Sequence, residues 1–199
     1  MKTQNREQLI ESITREHSFL SPLFLSLDGC TIAIRCNNPS TQQVIKEYLE
    51  PILQTDQVAS PTITIGVVDD SALEFDVDFT VKPVEPGKTS LKEEWFEIDG
   101  GRIVRKIKTG MIMIFGQDEN LVIGPCLENP NQVINFVNNR FIQWKLNQHS
   151  LLGHAAAVNL NGHGIAIAGF SGMGKSTLAL HLMNEGGIFV SNDRLLIDS

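Results

Sequence analysis

The chain lacks the cysteine spacing of a metal site or a disulfide framework. Its three cysteines, Cys30, Cys36 and Cys126, form no CxxC motif, and no histidine stands near them at ligand spacing. An odd, scattered set of this kind reads as reduced apolar filler. Long apolar runs are missing too. Stretches such as 111–115 and 165–170 fall far short of the roughly 20 residues that a membrane-spanning helix needs. The opening run MKTQNREQLIESI is polar and charged, without the apolar segment of a secretory signal. These absences together point to the cytoplasm. Positive charge is in deficit, with 16 Lys and Arg against 23 Asp and Glu and a net charge of −7. A field of that sign disfavours nucleic acid and anionic membrane as partners. No internal repeat and no low-complexity segment is visible.

What is present is a globular composition. At 199 residues and 42% apolar content, the chain suffices for one large domain or two small ones. Leu9, Ile10 and Ile13 recur at helical spacing, and Glu11 stands four residues before Arg15, so an amphipathic first helix is expected. The run LFLSLDGCTIAIRC predicts two strands joined at Asp28-Gly29. Asn38-Pro39 supplies an N-cap and a first-turn proline. Val44, Ile45, Tyr48, Leu49 and Ile52 then give the apolar face of a second helix, which Pro51 ends or bends. TITIGVV predicts a further strand. Residues 82–92 have loop composition. Short strands at 95–98, 102–107, 111–115 and 121–123, separated by turn signals, predict an antiparallel meander. The basic cluster Arg102, Arg105, Lys106 and Lys108 is either an anion patch or the solvated face of a strand. Asn129-Pro130 opens a helix expected over 130–147, with Val133, Val137, Phe141 and Trp144 as its buried stripe. The fold class expected is α/β, with an N-terminal α/β domain over 1–125 that contains antiparallel strands and a nucleotide-site core over 126–199.

The most specific chemistry lies in GFSGMGKST, residues Gly169 to Thr177. Gly169, Phe170, Ser171, Gly172, Met173, Gly174, Lys175 and Ser176 match the phosphate-loop (P-loop) pattern GxxxxGK[ST] without departure. GIAIAG before it reads as a buried strand, within a hairpin over 154–168, and a helix over 175–186 follows. Glycines let successive N–H groups converge on one concavity, and the helix start adds its positive dipole end. Lys175 is placed to neutralise the β- and γ-phosphates, and the Ser176 hydroxyl to ligate Mg²⁺. ATP is the expected nucleotide. A strand over 188–192 leads to Asn192 and Asp193. A right-handed crossover makes that strand parallel to the one before the loop, so both end at the same sheet edge. Asp193 there can hold Mg²⁺, directly or through water, or accept a proton from an attacking hydroxyl. With the hairpin turn drawn at Asn161–Gly164, His154 falls opposite Ser171. From there it can contact a phosphate oxygen or orient Asp193.

With these residues in view, LLGHAAAVNLNGHGIAIAGFSGMGKSTLALHLMNEGGIFVSNDRLLI, residues 151–197, resembles the HPr kinase/phosphorylase family, and most of all its HprK-related kinase B branch. The resemblance implies a core like that of HPr kinase and phosphoenolpyruvate carboxykinase, ATP and Mg²⁺ as cofactors, and a bacterial source. It also implies γ-phosphate transfer to a serine or another hydroxyl, on a protein or a small molecule. The family's phosphorylase activity reverses that transfer with inorganic phosphate. His154 matches the family's active-centre histidine, although Ala155 stands where glycine usually follows. Asp193 matches the second residue of its acidic pair. Asn192 replaces the first Asp of that pair, which keeps a carbonyl for Mg²⁺ and loses a proton acceptor. The resemblance thus implies Asp193, His154 and Lys175 as catalytic residues and Ser176, Asp193 and Asn192 as metal ligands. Family members continue well beyond this point, so the core is expected to be truncated at its C-terminus and this chain alone to be weak or inactive. A non-catalytic nucleotide-binding module stays open as the alternative, as does homo-oligomerisation.

Overall fold

A computed structural model describes residues 5–56, 58–71, 73–75, 77–81 and 91–198. Residues 82–90 of the expected 82–92 loop lie outside that set. The protein is α/β, and its described residues form four α-helices, one mixed sheet and one antiparallel sheet. The chain divides into two compact units, 1–141 and 142–199.

Helix α1 (Arg6–Thr14) opens the first unit, capped where Asn5 accepts from the Gln8 amide. Strands β1 (Leu23–Leu27) and β2 (Cys30–Cys36) follow and pair antiparallel around Asp28-Gly29. Helix α2 (Pro39–Leu49) starts on the Asn38 cap and has Pro at its first position. It gives way at Pro51 to a 3-10 turn (Glu50–Ile52), then to β3 (Leu53–Gln54) and β4 (Ile63–Asp69). Of the face predicted for α2, Ile45 and Leu49 are buried with Thr41, whereas Tyr48 is 62% exposed. The hydroxyphenyl ring can leave the stripe because its oxygen stays in water. After β5 (Thr80–Val81), the strands β6 (Glu93–Ile98), β7 (Gly101–Lys106), β8 (Ile112–Phe115) and β9 (Glu119–Gly124) form the expected meander.

All nine strands join one sheet in the order β3-β1-β2-β4-β9-β8-β7-β6-β5. The junction is the parallel pairing of β4 with β9, from Thr64↔Glu119 to Asp69↔Gly124. Leu9, Ile10 and Ile13 of α1 bury against one face, packed on Ile103, Ile112, Ile114, Leu121 and Ile123. Arg6 closes this core. It is 4% exposed, donates to the Glu119 carbonyl and pairs with Asp118 at 3.0 Å. That guanidinium holds the Asp118 carboxyl below its ordinary range. The basic cluster on β7 meets acids across the β6–β7 register. Arg102 pairs with Glu97, Arg105 with Glu94 and Lys106 with Glu93. The solvated-strand reading therefore accounts for those three residues.

Helix α3 (Pro130–Asn147) contains the boundary between the units. Val133 and Val137 are buried as expected, Phe141 and Trp144 of the expected stripe are only half-buried, and Ile134 and Phe136 are buried in addition. Arg140 lies with its guanidinium 4.1 Å from the centre of the Phe115 ring, and burial pushes its pKa down to about 10. All three cysteines are free and buried. Among the described residues no helix is long and apolar enough to cross a membrane.

In the second unit, β10 (Leu151–Leu160), β11 (His163–Ala168), α4 (Lys175–Asn184), β12 (Ile188–Ser191) and β13 (Arg194–Ile197) form an antiparallel sheet with one helix. β10 lies between β11 and β12, so β11 and β12 run parallel with one strand between them. Ala156 and Val158 of β10 bury against Ala179 of α4, with Ile167, Leu182 and Met183 at the margin.

Candidate functional site

The site begins at a register. The hairpin turn is the two residues Asn161-Gly162, both at positive φ, and Leu160 pairs with His163. Sequence placed the turn over Asn161–Gly164. The structure corrects this by two residues, because an Asn-Gly pair suits the tight turn that matches strand twist. Val158 therefore faces Ile165 and not Ile167, and β11 ends at Ala168 opposite Ala155. His154 lies one position beyond the last pair, where the chain leaves the sheet as the loop.

That loop runs from Gly169 to Gly174. Gly172 and Gly174 both have φ of +83°, and a Cβ on either would meet nothing within 4 Å. Glycine is required there by the left-handed backbone and not by crowding. Gly174 caps α4 without a side-chain acceptor, so no side chain at the cap takes the helix's first N–H groups. The Lys175 Nζ turns back to donate to the Gly169 carbonyl at 2.9 Å and the Phe170 carbonyl at 3.3 Å. Phe170 and Met173 point outward, 84% and 69% exposed.

The opposite wall comes from a broken strand. β12 and β13 continue one another along the same side of β10, with Ala157↔Ser191 before the break and His154↔Arg194 after it. Asn192 and Asp193 are the interruption. Ser191 Oγ donates to the Arg194 carbonyl at 2.7 Å and spans the break. β13 was not anticipated from sequence, since RLLI is too short to show a period. Its far end is fixed by Asp198, which pairs with the buried Lys145 at 2.7 Å and accepts from Ser150. Both contacts hold the Asp198 carboxyl below its ordinary range, Lys145 the more.

The break sets Asp193 beside His154. The imidazole Nδ1 is 2.9 Å from Asp193 Oδ1 and 3.2 Å from the Asp193 carbonyl oxygen. Arg194 Nε approaches the other carboxylate oxygen at 4.0 Å. A hollow of about 500 Å³ lies between the two walls. It is lined by His154, Ser171, Gly172 and Gly174, by Lys175, Ser176 and Thr177, and by Asn192 and Asp193. The sequence candidates Gly169, Phe170 and Met173 are not among the lining residues. Gly169 and Phe170 instead supply the carbonyls that hold Lys175. The volume falls within the range of small-molecule sites. One wall offers backbone N–H groups, an ammonium and hydroxyls. The other offers a carboxylate, a carboxamide and an imidazole. The first set suits an anion, and the oxygen donors Ser176, Asn192 and Asp193 suit a hard divalent cation.

No protein-family model matches the chain, and no solved structure matches it. Among curated proteins, the HPr kinase/phosphorylase of Mycoplasma mycoides subsp. mycoides SC is 43% identical to it over 44 residues. The aligned stretch is 22% of this chain and 14% of that protein. This local likeness is a weak hint of a kinase-type function and does not by itself place the chain in that family.

Proposed function

We propose that the second unit binds ATP at the 169–177 loop and, as a kinase of HPr-kinase type, passes the γ-phosphate to a serine or another hydroxyl acceptor. The observation that carries this reading is the His154–Asp193 pair, at 2.9 Å, facing a loop of GxxxxGKS sequence across one hollow. Amides of the 171–176 stretch are the proposed donors to the phosphate oxygens, apart from Met173, whose N–H donates to the Phe170 carbonyl at 3.3 Å. Lys175 exchanges its two loop carbonyls for the β- and γ-phosphates. Asp193 accepts the proton of the acceptor hydroxyl as its oxygen bonds to the γ-phosphorus, and the bond from that phosphorus to the bridging oxygen of ADP breaks. His154 holds the Asp193 carboxylate in line. Mg²⁺, when bound, neutralises charge on the phosphate oxygens, and Ser176, Asp193 and the Asn192 carbonyl are its proposed ligands. The local likeness to an HPr kinase/phosphorylase supports the same chemistry.

A second reading, a nucleotide-binding module without transfer, is favoured by Asn192. A carboxamide there supplies no second proton acceptor. One experiment separates them: the full chain is incubated with γ-labelled ATP and Mg²⁺ in a bacterial extract, beside Lys175→Ala and Asp193→Ala controls. Label in a protein band that both controls lose supports the kinase. Saturable ATP binding without label supports the module. Absence of ATP binding by the folded protein contradicts both.

A further inference from the structure

A second hollow lies in the first unit. It measures about 420 Å³ and is formed where the β7–β8 turn, the residues leading into β6 and one face of α3 meet. Backbone bonds explain the convergence. Ile107 N donates to the Lys92 carbonyl at 3.2 Å, which sets Lys92 beside the turn that carries Lys108. Lys92, Lys106 and Lys108 all line the hollow. Glu93 neutralises Lys106. Among the described residues neither Lys92 nor Lys108 has a carboxylate partner, so two cations are left facing the cavity.

The helical wall is unusual for this chain. Gln132, Asn135 and Asn139 stand at i, i+3 and i+7 on α3 and all line the hollow. The Thr109 hydroxyl donates to Gln132 Oε1 at 3.2 Å, which leaves the Gln132 NH₂ to donate elsewhere. Over its 18 residues α3 contains no Asp or Glu, although the whole chain carries 23. Five of those 18 residues are Asn and two are Gln. The polar face of an amphipathic helix is usually built from charged and polar residues together. A carboxamide face, unlike a carboxylate face, does not repel an anion. The floor is apolar, made by the buried Met113 and Phe136. The Arg140 guanidinium, 5.5 Å from the Phe136 ring centre, adds further positive charge nearby.

From this geometry we infer that the first unit binds a small organic anion, with its phosphate or carboxylate group between Lys92 and Lys108 and its apolar part on Met113 and Phe136. The donors come from two directions, the lysines from the turn side and the carboxamides from the helix. The hollow suits a compact ligand and is too small for a folded chain. This site is separate from the 169–177 loop and does not depend on the kinase reading.

The test uses the full chain with Lys175→Ala as background, so that phosphate bound at the loop is not counted. Calorimetric titrations are run with inorganic phosphate, phenyl phosphate and benzoate. Phenyl phosphate is expected to bind saturably and more tightly than inorganic phosphate. Each of Lys92→Ala and Lys108→Ala should weaken it by about tenfold, the scale of one lost charge-assisted contact. Asn135→Asp, an exposed change, should weaken it at least as much by repulsion, while Lys46→Ala should leave it unaltered. Binding of phenyl phosphate without benzoate assigns the site to phosphate esters. Binding of both assigns it to organic anions at large. No saturable binding of any of the three by the folded protein, or equal binding by the Lys92→Ala, Lys108→Ala and Lys46→Ala variants, overturns the proposal.

Discussion

His154 Nδ1 and Asp193 Oδ1 lie 2.9 Å apart, although 38 residues and a helix separate them in the chain. The pair exists because β10 carries His154 to the point where the strand on its flank breaks at Asn192-Asp193. If the imidazole serves to hold the carboxylate in line, its loss should act on transfer and spare binding. His154→Ala is expected to lower phosphoryl transfer by about 10²-fold while ATP affinity changes only a few-fold. Rapid-quench transfer assays beside calorimetry make the comparison. Equal loss in both quantities would assign His154 to phosphate binding.

Asn192 lines the hollow next to Asp193. An added carboxylate there should strengthen divalent-cation binding. For Asn192→Asp, a Mg²⁺ titration in the presence of ATP is expected to shift to several-fold lower concentration. An unmoved curve would mean that residue 192 does not face the metal.

Arg6 is the charged residue on which the first core closes. Its loss removes bonds to the Glu119 carbonyl and Asp118. Arg6→Ala is expected to destabilise the first unit by about 2 kcal/mol, read from urea denaturation. The sign of the pH dependence follows from Asp118, whose folded pKa is depressed by Arg6. Its contribution is present above the unfolded carboxylate value of roughly 4 and is lost as pH falls through the lower folded value. The gap in stability between wild type and variant should therefore narrow on acidification below roughly pH 4.

The cysteines give an alkaline counterpart. Burial pushes the Cys30 thiol up to about 11 and the Cys36 thiol up to about 12, and raises Cys126 further with help from Asp69. Neutral buried thiols are poor nucleophiles. Native protein should resist iodoacetamide at pH 8, and urea-unfolded protein should take up three equivalents. The unfolded thiols ionise near pH 8.5 and the folded ones well above it, so stability should fall as pH rises from about 8.5. Rapid native labelling of any of the three would contradict this burial.

Much of this was legible in residue order where local chemistry decides the structure. The Asn38-Pro39 cap, the Asp28-Gly29 turn, the meander strands and the strand–loop–helix around Gly169–Ser176 rest on neighbours within a few positions. Non-local pairing was not legible. Nothing in TITIGVV specifies that Thr64 pairs with Glu119, so the fusion of nine strands into one sheet went unseen. The 154–168 hairpin sits two residues from the register its sequence suggests, since Gly162 and Gly164 both suit a turn and a periodicity of two cannot separate them. The same limit hides β13, which is a strand because β10 runs on past the end of β12 and offers it an edge. Arg6 reads as part of a polar leader by composition. It is buried because α1 docks over the β8–β9 turn. Lys108 belongs to a basic cluster whose other members are paired across strands, a distinction that only the register draws.

The proposed kinase site requires the 169–177 loop and Asp193 to hold one Mg²⁺–ATP between them. Calorimetric titration of the folded chain with ATP, with and without Mg²⁺, tests it most directly. The prediction is a saturable isotherm that tightens with Mg²⁺, disappears in Lys175→Ala, and in Asp193→Ala persists but no longer responds to Mg²⁺. A folded protein that gives no isotherm, or one that Lys175→Ala and Asp193→Ala leave unaltered, would contradict it.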